Sequence, residues 1–137
     1  MSKFAMNEAE YIAFMMYNNV YFTVCEYQDE IVSACSASVL PDFNCAEMTD
    51  CATLPEHRKK NLLSQQYGLI IEKMKEKGIQ TLFCYARTLS IGMNIVNAKH
   101  MFTYGGCMKN NSNIQERYNN NDAKHSLANM NIWYKQI

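Results

Sequence analysis

Three strand-like segments follow one another before the first long helix, and this order limits the fold more than any other feature of the sequence. Residues 20–27 (VYFTVCEY) and 30–40 (EIVSACSASVL) are rich in β-branched and aromatic residues. The tight QDE between them predicts a β-hairpin. A third strand is predicted at about 44–54, antiparallel to the second. The sheet is therefore expected to begin with three antiparallel strands.

A strand-helix-strand crossover is predicted after these strands. Pro55 ends the third strand, and apolar residues at helical spacing predict a helix over 58–77 that stops at Gly78. A strand follows at 79–87. Before the strands, the sequence predicts a first helix over 7–18 that is capped by Asn7 and packed on both sides. A short helix over 88–100 follows the strand at 79–87. The last predicted elements are strands at 101–111 and 128–137, with a polar loop over 112–127 between them. The order predicts an α/β (α+β) fold with a mixed sheet flanked by helices.

Length and charge set further limits. The 137 residues, 48% apolar and 19% charged, predict a single folded domain, residues 1–137. The formal net charge is zero, so we expect neither nucleic acid nor a membrane as a partner. No signal peptide or apolar span is evident, which predicts a cytoplasmic protein.

The cysteines and histidines do not follow the spacing of a metal site. Six cysteines lie in apolar, strand-like stretches without paired spacing, which predicts buried thiols rather than a disulfide framework. The three histidines form no HxH or HExxH pattern, so no metal is expected.

The junction between the third strand and the long helix carries three consecutive cations, Arg58, Lys59 and Lys60. A helix N-terminus already carries partial positive charge and outward N–H groups, so acids are usual there. Basic residues at this point suit an anion such as a phosphate, although a solvated basic turn would look the same.

Four segments together resemble a known superfamily. The segments AEMTDCATLPEHR, LFCYARTLSIGMN, FTYGGCMKNN and MNIWYK are similar to the GNAT acyl-CoA N-acetyltransferases, and most closely to the β-lysine N6-acetyltransferases. The resemblance runs from about residue 22 to residue 137. It implies a GNAT-like, mostly antiparallel sheet, here without a clear first strand, and acetyl-CoA as cosubstrate. A homodimer or an added strand would cover the short edge of such a sheet.

The resemblance also implies where acetyl-CoA binds. The superfamily motif R-x-x-G-x-G/A, whose backbone amides hold the pyrophosphate, falls on residues 58–63, with Asn61 and Leu63 in place of small residues. Asn94 is implied to contact the pantetheine arm, or is simply an exposed helix residue. The complete predicted cofactor-binding set is Cys51, Ala52, Thr53, Arg58, Lys59, Lys60, Asn61, Leu62, Leu63 and Asn94.

Acetyl transfer to an amine needs a group that accepts a proton, because a lysine-like amine has a pKa near 10.4. The resemblance places Glu47 in that role, with a solvated glutamate as the alternative. Strand alternation predicts Glu47 and Asp50 on opposite faces, so that they cannot form one carboxylate pair. Asp50 either has a structural partner or binds the substrate amine.

The sequence does not assign the group that protonates the departing thiolate. Counting seven residues from Ser90, where the superfamily often has a tyrosine, gives Asn97, which can donate a hydrogen bond. Tyr104 is assigned to substrate binding, with strand packing as the alternative.

These features predict an acetyl-CoA-dependent N-acetyltransferase that acts on a primary amine of a small cationic molecule by direct transfer in a ternary complex. The resemblance implies β-lysine as the acceptor. The alternative is a degenerate GNAT domain that binds acyl-CoA or another protein without catalysis.

Overall fold

The computed structural model of the protein describes residues 9–115 and 125–137. These residues form three α-helices and six strands, the mixed α+β class that the sequence predicts. The helices are α1 (Ala9–Tyr17), α2 (Leu62–Glu76) and α3 (Ile91–Lys99). The strands are β1 (Val20–Tyr27), β2 (Glu30–Leu40), β3 (Cys45–Thr53), β4 (Thr81–Arg87), β5 (Thr103–Gln115) and β6 (His125–Gln136). Short 3₁₀ turns at Pro41–Phe43 and Pro55–His57 flank β3.

The chain divides into two compact units within β4. The first unit runs to Leu82 and includes Gln136 and Ile137, and the second is Phe83–Lys135. The GNAT-like fold class, with a mostly antiparallel strand arrangement and helices, is confirmed by the similarities described below. The assignment of the whole chain to a single domain stays a prediction.

The first unit is built on the antiparallel order β1-β2-β3. Gln28 and Asp29 join β1 to β2 with φ of 52° and 63°, the positive angles that tight two-residue hairpins require. Helix α2 contacts all three strands. Its buried apolar side chains share one face, at the spacing that the sequence predicts: Tyr67, Ile70, Ile71 and Met74. The predicted hairpin and third strand are therefore confirmed.

Helix α2 begins four residues later and ends one residue earlier than predicted, beside the predicted stop at Gly78. Arg58 to Asn61 form a turn before Leu62 rather than the first turn of the helix. The prediction missed this because Lys59 and Asn61 have positive φ, which helical spacing cannot show. Gly78, at φ 76°, ends the helix, and the next amide donates to the Met74 carbonyl at 3.1 Å.

Helix α1 does not pack on both sides as predicted. None of its residues is buried, and Phe14 and Tyr17 are 62% and 90% exposed. The helix contacts β1. Asn7, the predicted cap, lies outside the described residues. The prediction is wrong because packing on both sides would bury residues of α1, and none of its residues is buried.

The second unit contains the neighbours β4-β6-β5, with β5 and β6 antiparallel. The predicted loop at 112–127 is partly wrong, since β5 continues to Gln115 and β6 begins at His125. The remainder of that loop lies outside the described residues. A shift of register follows Tyr104, where Gly106 adopts φ 129°. No helix in the described ranges is long and apolar enough to span a membrane.

Candidate acetyltransferase site

An irregularity in β3 decides how its carboxylates are arranged. Ser36 of β2 is paired with Thr49, whereas Ala34 is paired with Ala52. Two residues of β3, Asp50 and Cys51, therefore lie opposite one residue of β2, which is a β-bulge. Asp50 has φ 51°, a conformation that aspartate tolerates better than most residues.

The bulge brings Asp50 to the same face of the sheet as Glu47. Glu47 is paired with Ser38, and Ser36, two residues away on the same face of β2, donates a hydrogen bond from Oγ to Asp50 Oδ2 at 3.0 Å. Cys51 instead faces the other side, with its Sγ 2.9 Å from Cys35 Sγ. The prediction that the two carboxylates lie on opposite faces is therefore wrong, because simple alternation fails at a bulge.

Both carboxyl groups hold their protons more tightly than usual. Burial raises the pKa of Glu47, and the negative charge of Asp50 raises it further. Burial also raises the pKa of Asp50, while the hydrogen bond from Ser36 opposes that shift. The charge of Asp50 thus acts on Glu47, and both half-buried carboxyl groups lie on the same face of the sheet.

The basic turn follows β3 in the same unit. Arg58 donates a hydrogen bond from Nε to the Thr53 carbonyl at 3.1 Å, so its stem is tied to the end of the strand. Lys59 and Lys60 are exposed. Lys60 Nζ is 3.4 Å from His57 Nδ1. The first turn of α2 contains no acidic residue that would offset this positive charge.

Asn61 takes the place of a glycine at a position with left-handed backbone. Its φ and ψ are 63° and 16°, and its carbonyl accepts the first helical hydrogen bond, from Gln65, at 3.2 Å. Asparagine is among the side chains that tolerate this conformation best. The departure from the motif at Asn61 is therefore compatible with the backbone. Leu62 and Leu63 open α2 and are partly exposed.

A buried polar network that the sequence analysis missed fixes α2 against the strands. Ser33 Oγ donates to Gln66 Oε1 at 2.6 Å and lies 2.8 Å from Thr53 Oγ1. Gln66 Nε2 donates to the Thr23 carbonyl at 2.9 Å. The sequence signal for this network was Gln66, a polar residue next to the apolar face of α2. Thr53 is thus part of this network, whereas Ala52 is exposed.

Asn94 has all its hydrogen-bonding capacity used within the second unit. Its Nδ2 donates to the carbonyls of Arg87 and Ser90 at 3.0 and 2.9 Å. Its Oδ1 accepts from Asn131 Nδ2 and Trp133 Nε1, both at 2.9 Å. An amide offers two donors and two acceptor lone pairs, so no further bond is available for a ligand. The role that the sequence missed is to hold β6 at the start of α3.

The other two predicted residues of the second unit differ in exposure. Asn97 is fully buried, and its Nδ2 donates to Cys84 Sγ at 3.1 Å. A side chain in this position cannot reach a departing thiolate without local opening. Tyr104 is 52% exposed, and its ring lies edge-on to Trp133 with 5.5 Å between centroids. Tyr104 therefore combines strand packing with an accessible phenol.

No three histidine, cysteine, aspartate or glutamate side chains in the described parts of the chain are grouped as metal ligands would be.

The chain resembles solved structures in fold. It has a TM-score of 0.79 to ribosomal-protein-alanine N-acetyltransferase from Brucella melitensis, with 12% identity over 96% of this chain and 78% of the other. The TM-score to an N-acetyltransferase from Staphylococcus aureus Mu50 is 0.77, with 17% identity over 93% and 75% of the two chains.

Two curated proteins are similar in sequence. N-acetyltransferase YodP of Bacillus subtilis (strain 168) is 38% identical over 88% of this chain and 40% of its own length. A β-lysine N(6)-acetyltransferase of Methanococcus maripaludis is 35% identical over 96% of this chain and 45% of its own length. The chain thus spans less than half the length of these relatives.

Residues 3–93 match the acetyltransferase (GNAT) family. The matched residues include the strand with the carboxylates, the basic turn with Asn61, and α2. The match covers well over half of the chain and agrees with the fold similarity. The chain belongs to the acetyltransferase (GNAT) family.

Proposed function

We propose that this chain is the acetyltransferase domain, residues 1–137, of an enzyme that transfers the acetyl group of acetyl-CoA to a primary amine of a small cationic molecule. The observation that carries the proposal is the bulge in β3, which brings Glu47 and Asp50 to one face. Family membership supplies the reaction class.

Glu47 is proposed as the general base. A primary ammonium group must lose a proton before its nitrogen can attack, and a base works best when its pKa is near the working pH. Burial and the charge of Asp50 both raise the pKa of Glu47 toward that range. Glu47 would take the proton from the amine directly or through one water molecule.

Asp50 is proposed to bind the acceptor. Its carboxylate accepts a hydrogen bond from Ser36, which fixes its orientation. A carboxylate held this way can pair with an ammonium group and hold the amine near Glu47. Tyr104, in the second unit, is proposed separately as an acceptor-binding residue, because its side chain is accessible.

The basic turn fits the pyrophosphate of acetyl-CoA. Lys59 and Lys60 are exposed before a helix whose first turn has no acid, and Asn61 adopts a left-handed backbone of the kind that suits glycine. Cys51, Ala52 and Thr53 lead into this turn, and Arg58, Leu62 and Leu63 complete the proposed binding segment. Acetyl-CoA supplies an activated acyl thioester when bound. Asn94 is proposed to act indirectly, by holding the start of α3.

The transfer is proposed to proceed directly in a ternary complex. The amine nitrogen attacks the carbonyl carbon, a C–N bond forms, the C–S bond breaks, and the CoA thiolate takes up a proton. We do not include Asn97 in this step, since its amide is buried against Cys84. β-Lysine is proposed as the acceptor because a relative 35% identical to the chain is named for that substrate.

Glu47→Gln tests the proposal. The amide keeps the shape of the side chain but accepts no proton, so we expect kcat to fall by about 10²- to 10⁴-fold with little change in acetyl-CoA binding. Glu56→Gln is the matched control, because Glu56 is an exposed glutamate of the neighbouring 3₁₀ turn. Equal rates for wild type and Glu47→Gln would overturn the role of Glu47.

The pH profile gives a second readout. In Asp50→Asn the like charge beside Glu47 is removed, so the pKa of Glu47 should fall and the acidic limb of the rate profile should move to lower pH. β-Lysine, lysine and polyamines are the acceptors to compare. Saturable acetyl-CoA binding without turnover of any acceptor would favour the alternative of a non-catalytic acyl-CoA-binding or interaction module.

We propose a small-molecule partner and a cytoplasmic enzyme, with a homodimer as the assembly to look for by light scattering.

A further inference from the structure

The structure places two thiols in contact at the bulge. Cys35 Sγ and Cys51 Sγ are 2.9 Å apart on adjacent antiparallel strands. We propose that Cys35 and Cys51 form an oxidisable dithiol site that reacts with small-molecule disulfides to give a disulfide within the chain, linking β2 to β3.

The bulge is what creates this pair. Without the bulge, regular pairing continued from Ser36 and Thr49 would place Asp50 alone opposite Cys35, and Cys51 opposite Ala34. The extra residue moves Cys51 to the face of Cys35 instead. Neighbouring strands are close enough for a disulfide to join residues that face each other across the pair.

The thiols also share a hydrogen-bond acceptor. Cys51 Sγ lies 3.4 Å from the Thr49 carbonyl, and Cys35 Sγ lies 4.0 Å from the same oxygen. Both sulfurs are therefore held on one side of the bulge. Local backbone geometry keeps the pair together, so little further ordering is needed for reaction.

Exposure gives the two cysteines different roles. Cys51 is partly exposed, whereas Cys35 is fully buried. A small external disulfide can reach Cys51 first. The Cys51 thiolate attacks one sulfur of that disulfide, and the other half of the molecule leaves as a thiol. The deprotonated Cys35 sulfur then attacks Cys51 Sγ in this mixed disulfide, and the second thiol leaves. Two protein thiols are oxidised and one external disulfide is reduced.

The other described cysteines provide controls. Cys107 is exposed, and its Sγ lies 3.8 Å from the Met108 carbonyl oxygen. Cys107 should accept a mixed disulfide but should not resolve it. Cys107→Ser is therefore the matched variant that keeps the Cys35–Cys51 pair intact.

The test is to incubate the full chain with oxidised glutathione and to map its disulfides by mass spectrometry without reduction. We expect a Cys35–Cys51 cross-linked peptide, a loss of two hydrogen atoms from the protein mass at this pair, and reversal by dithiothreitol. The same cross-link should form in Cys107→Ser. In Cys51→Ser the cross-link should be absent, leaving Cys35 as the thiol.

Two results would overturn the inference. One is glutathione retained on Cys51 with no cross-link; the other is a cross-link between Cys51 and any cysteine other than Cys35. Mapping on the wild-type chain decides the question even if Cys51→Ser folds poorly. Because no acetyl transfer is measured, the result is independent of the proposed function.

Discussion

The two strand-to-helix junctions of this protein use their polar groups in opposite ways. Between β3 and α2, the chain makes an exposed turn with three cations and left-handed backbone at Lys59 and Asn61. Between β4 and α3, Asn94 closes the junction with four hydrogen bonds to Arg87, Ser90, Asn131 and Trp133. One junction presents charge to solvent, and the other uses its polar groups internally.

The difference bears on the proposed binding of acetyl-CoA. An anionic ligand is attracted by exposed cations, and Lys59 and Lys60 provide these at the first junction. The second junction carries motif residues of the resembled superfamily, yet its key amide is saturated. A residue within a family motif can therefore act by holding other elements in place rather than by contacting a ligand.

The largest effect is expected where the closed junction is broken. Asn94→Ala removes four hydrogen bonds and leaves the Trp133 indole N–H without its acceptor, so we expect a loss of about 2–4 kcal/mol in the free energy of unfolding. Urea denaturation measures this. Asn94→Asp keeps the two acceptor interactions but turns a carboxylate oxygen towards the Arg87 and Ser90 carbonyls, so it should also be less stable than wild type. A loss below about 0.5 kcal/mol in Asn94→Ala would contradict the supporting role.

Removing charge from the open junction should affect binding rather than folding. We expect the double variant Lys59→Ala/Lys60→Ala to bind acetyl-CoA about tenfold more weakly, at unchanged stability, because two exposed cations each contribute about 0.3–1 kcal/mol. Titration calorimetry at low and high salt measures this difference.

The matched control for that variant lies at the other end of the same helix. Lys73 and Lys75 form exposed salt bridges with Glu76 and Glu72, both at 3.0 Å. Lys73→Ala/Lys75→Ala should leave acetyl-CoA binding unchanged. If both double variants weaken binding equally, net charge rather than the basic turn attracts the ligand.

A smaller effect is expected from Asn61→Gly. The positive φ of Asn61 suits glycine, so we expect the free energy of unfolding to change by no more than about 0.5–1 kcal/mol and acetyl-CoA binding to persist or improve. Thermal unfolding and calorimetry measure the two quantities. Loss of binding would show that the asparagine side chain itself is needed, which would sharpen the contrast with Asn94.

The last prediction concerns pH and the strand that leads into the open junction. The pKa of Asp50 is raised in the folded protein, so its contribution to stability is greatest below its ordinary value of 3.8 and is lost as pH rises through the raised value. Asp50→Asn stays uncharged, so its stability relative to wild type should increase as pH rises above 4. Urea unfolding from pH 4 to 7 tests this, and a constant difference would contradict it.

Local sequence patterns predicted the helices and strands, but they did not predict the bulge in β3. The hairpin at Gln28 and Asp29, the buried face of α2 and the stop at Gly78 follow from propensity, periodicity and glycine chemistry. The bulge at Asp50 could not be predicted, because strand alternation assumes a regular pairing and the extra residue depends on the partner strand. An aspartate within a mostly apolar strand was the only local sign.

The roles of the two motif asparagines depended on neighbours that are distant in sequence. Asn94 contacts Asn131 and Trp133, and Asn97 contacts Cys84. Spacing placed both residues on α3, but it could not show that their amides were already used.

The sequence by itself determined the order of elements and the basic segment before α2, because these depend on residue type and short-range spacing, while the resemblance of four segments indicated the GNAT-like class. Only the tertiary structure decided that Glu47 and Asp50 share a face, that Cys35 meets Cys51, and that Asn94 is saturated. Each of these relations depends on how one element pairs or packs with another. Their distances are set by strand register and packing, which no local pattern encodes.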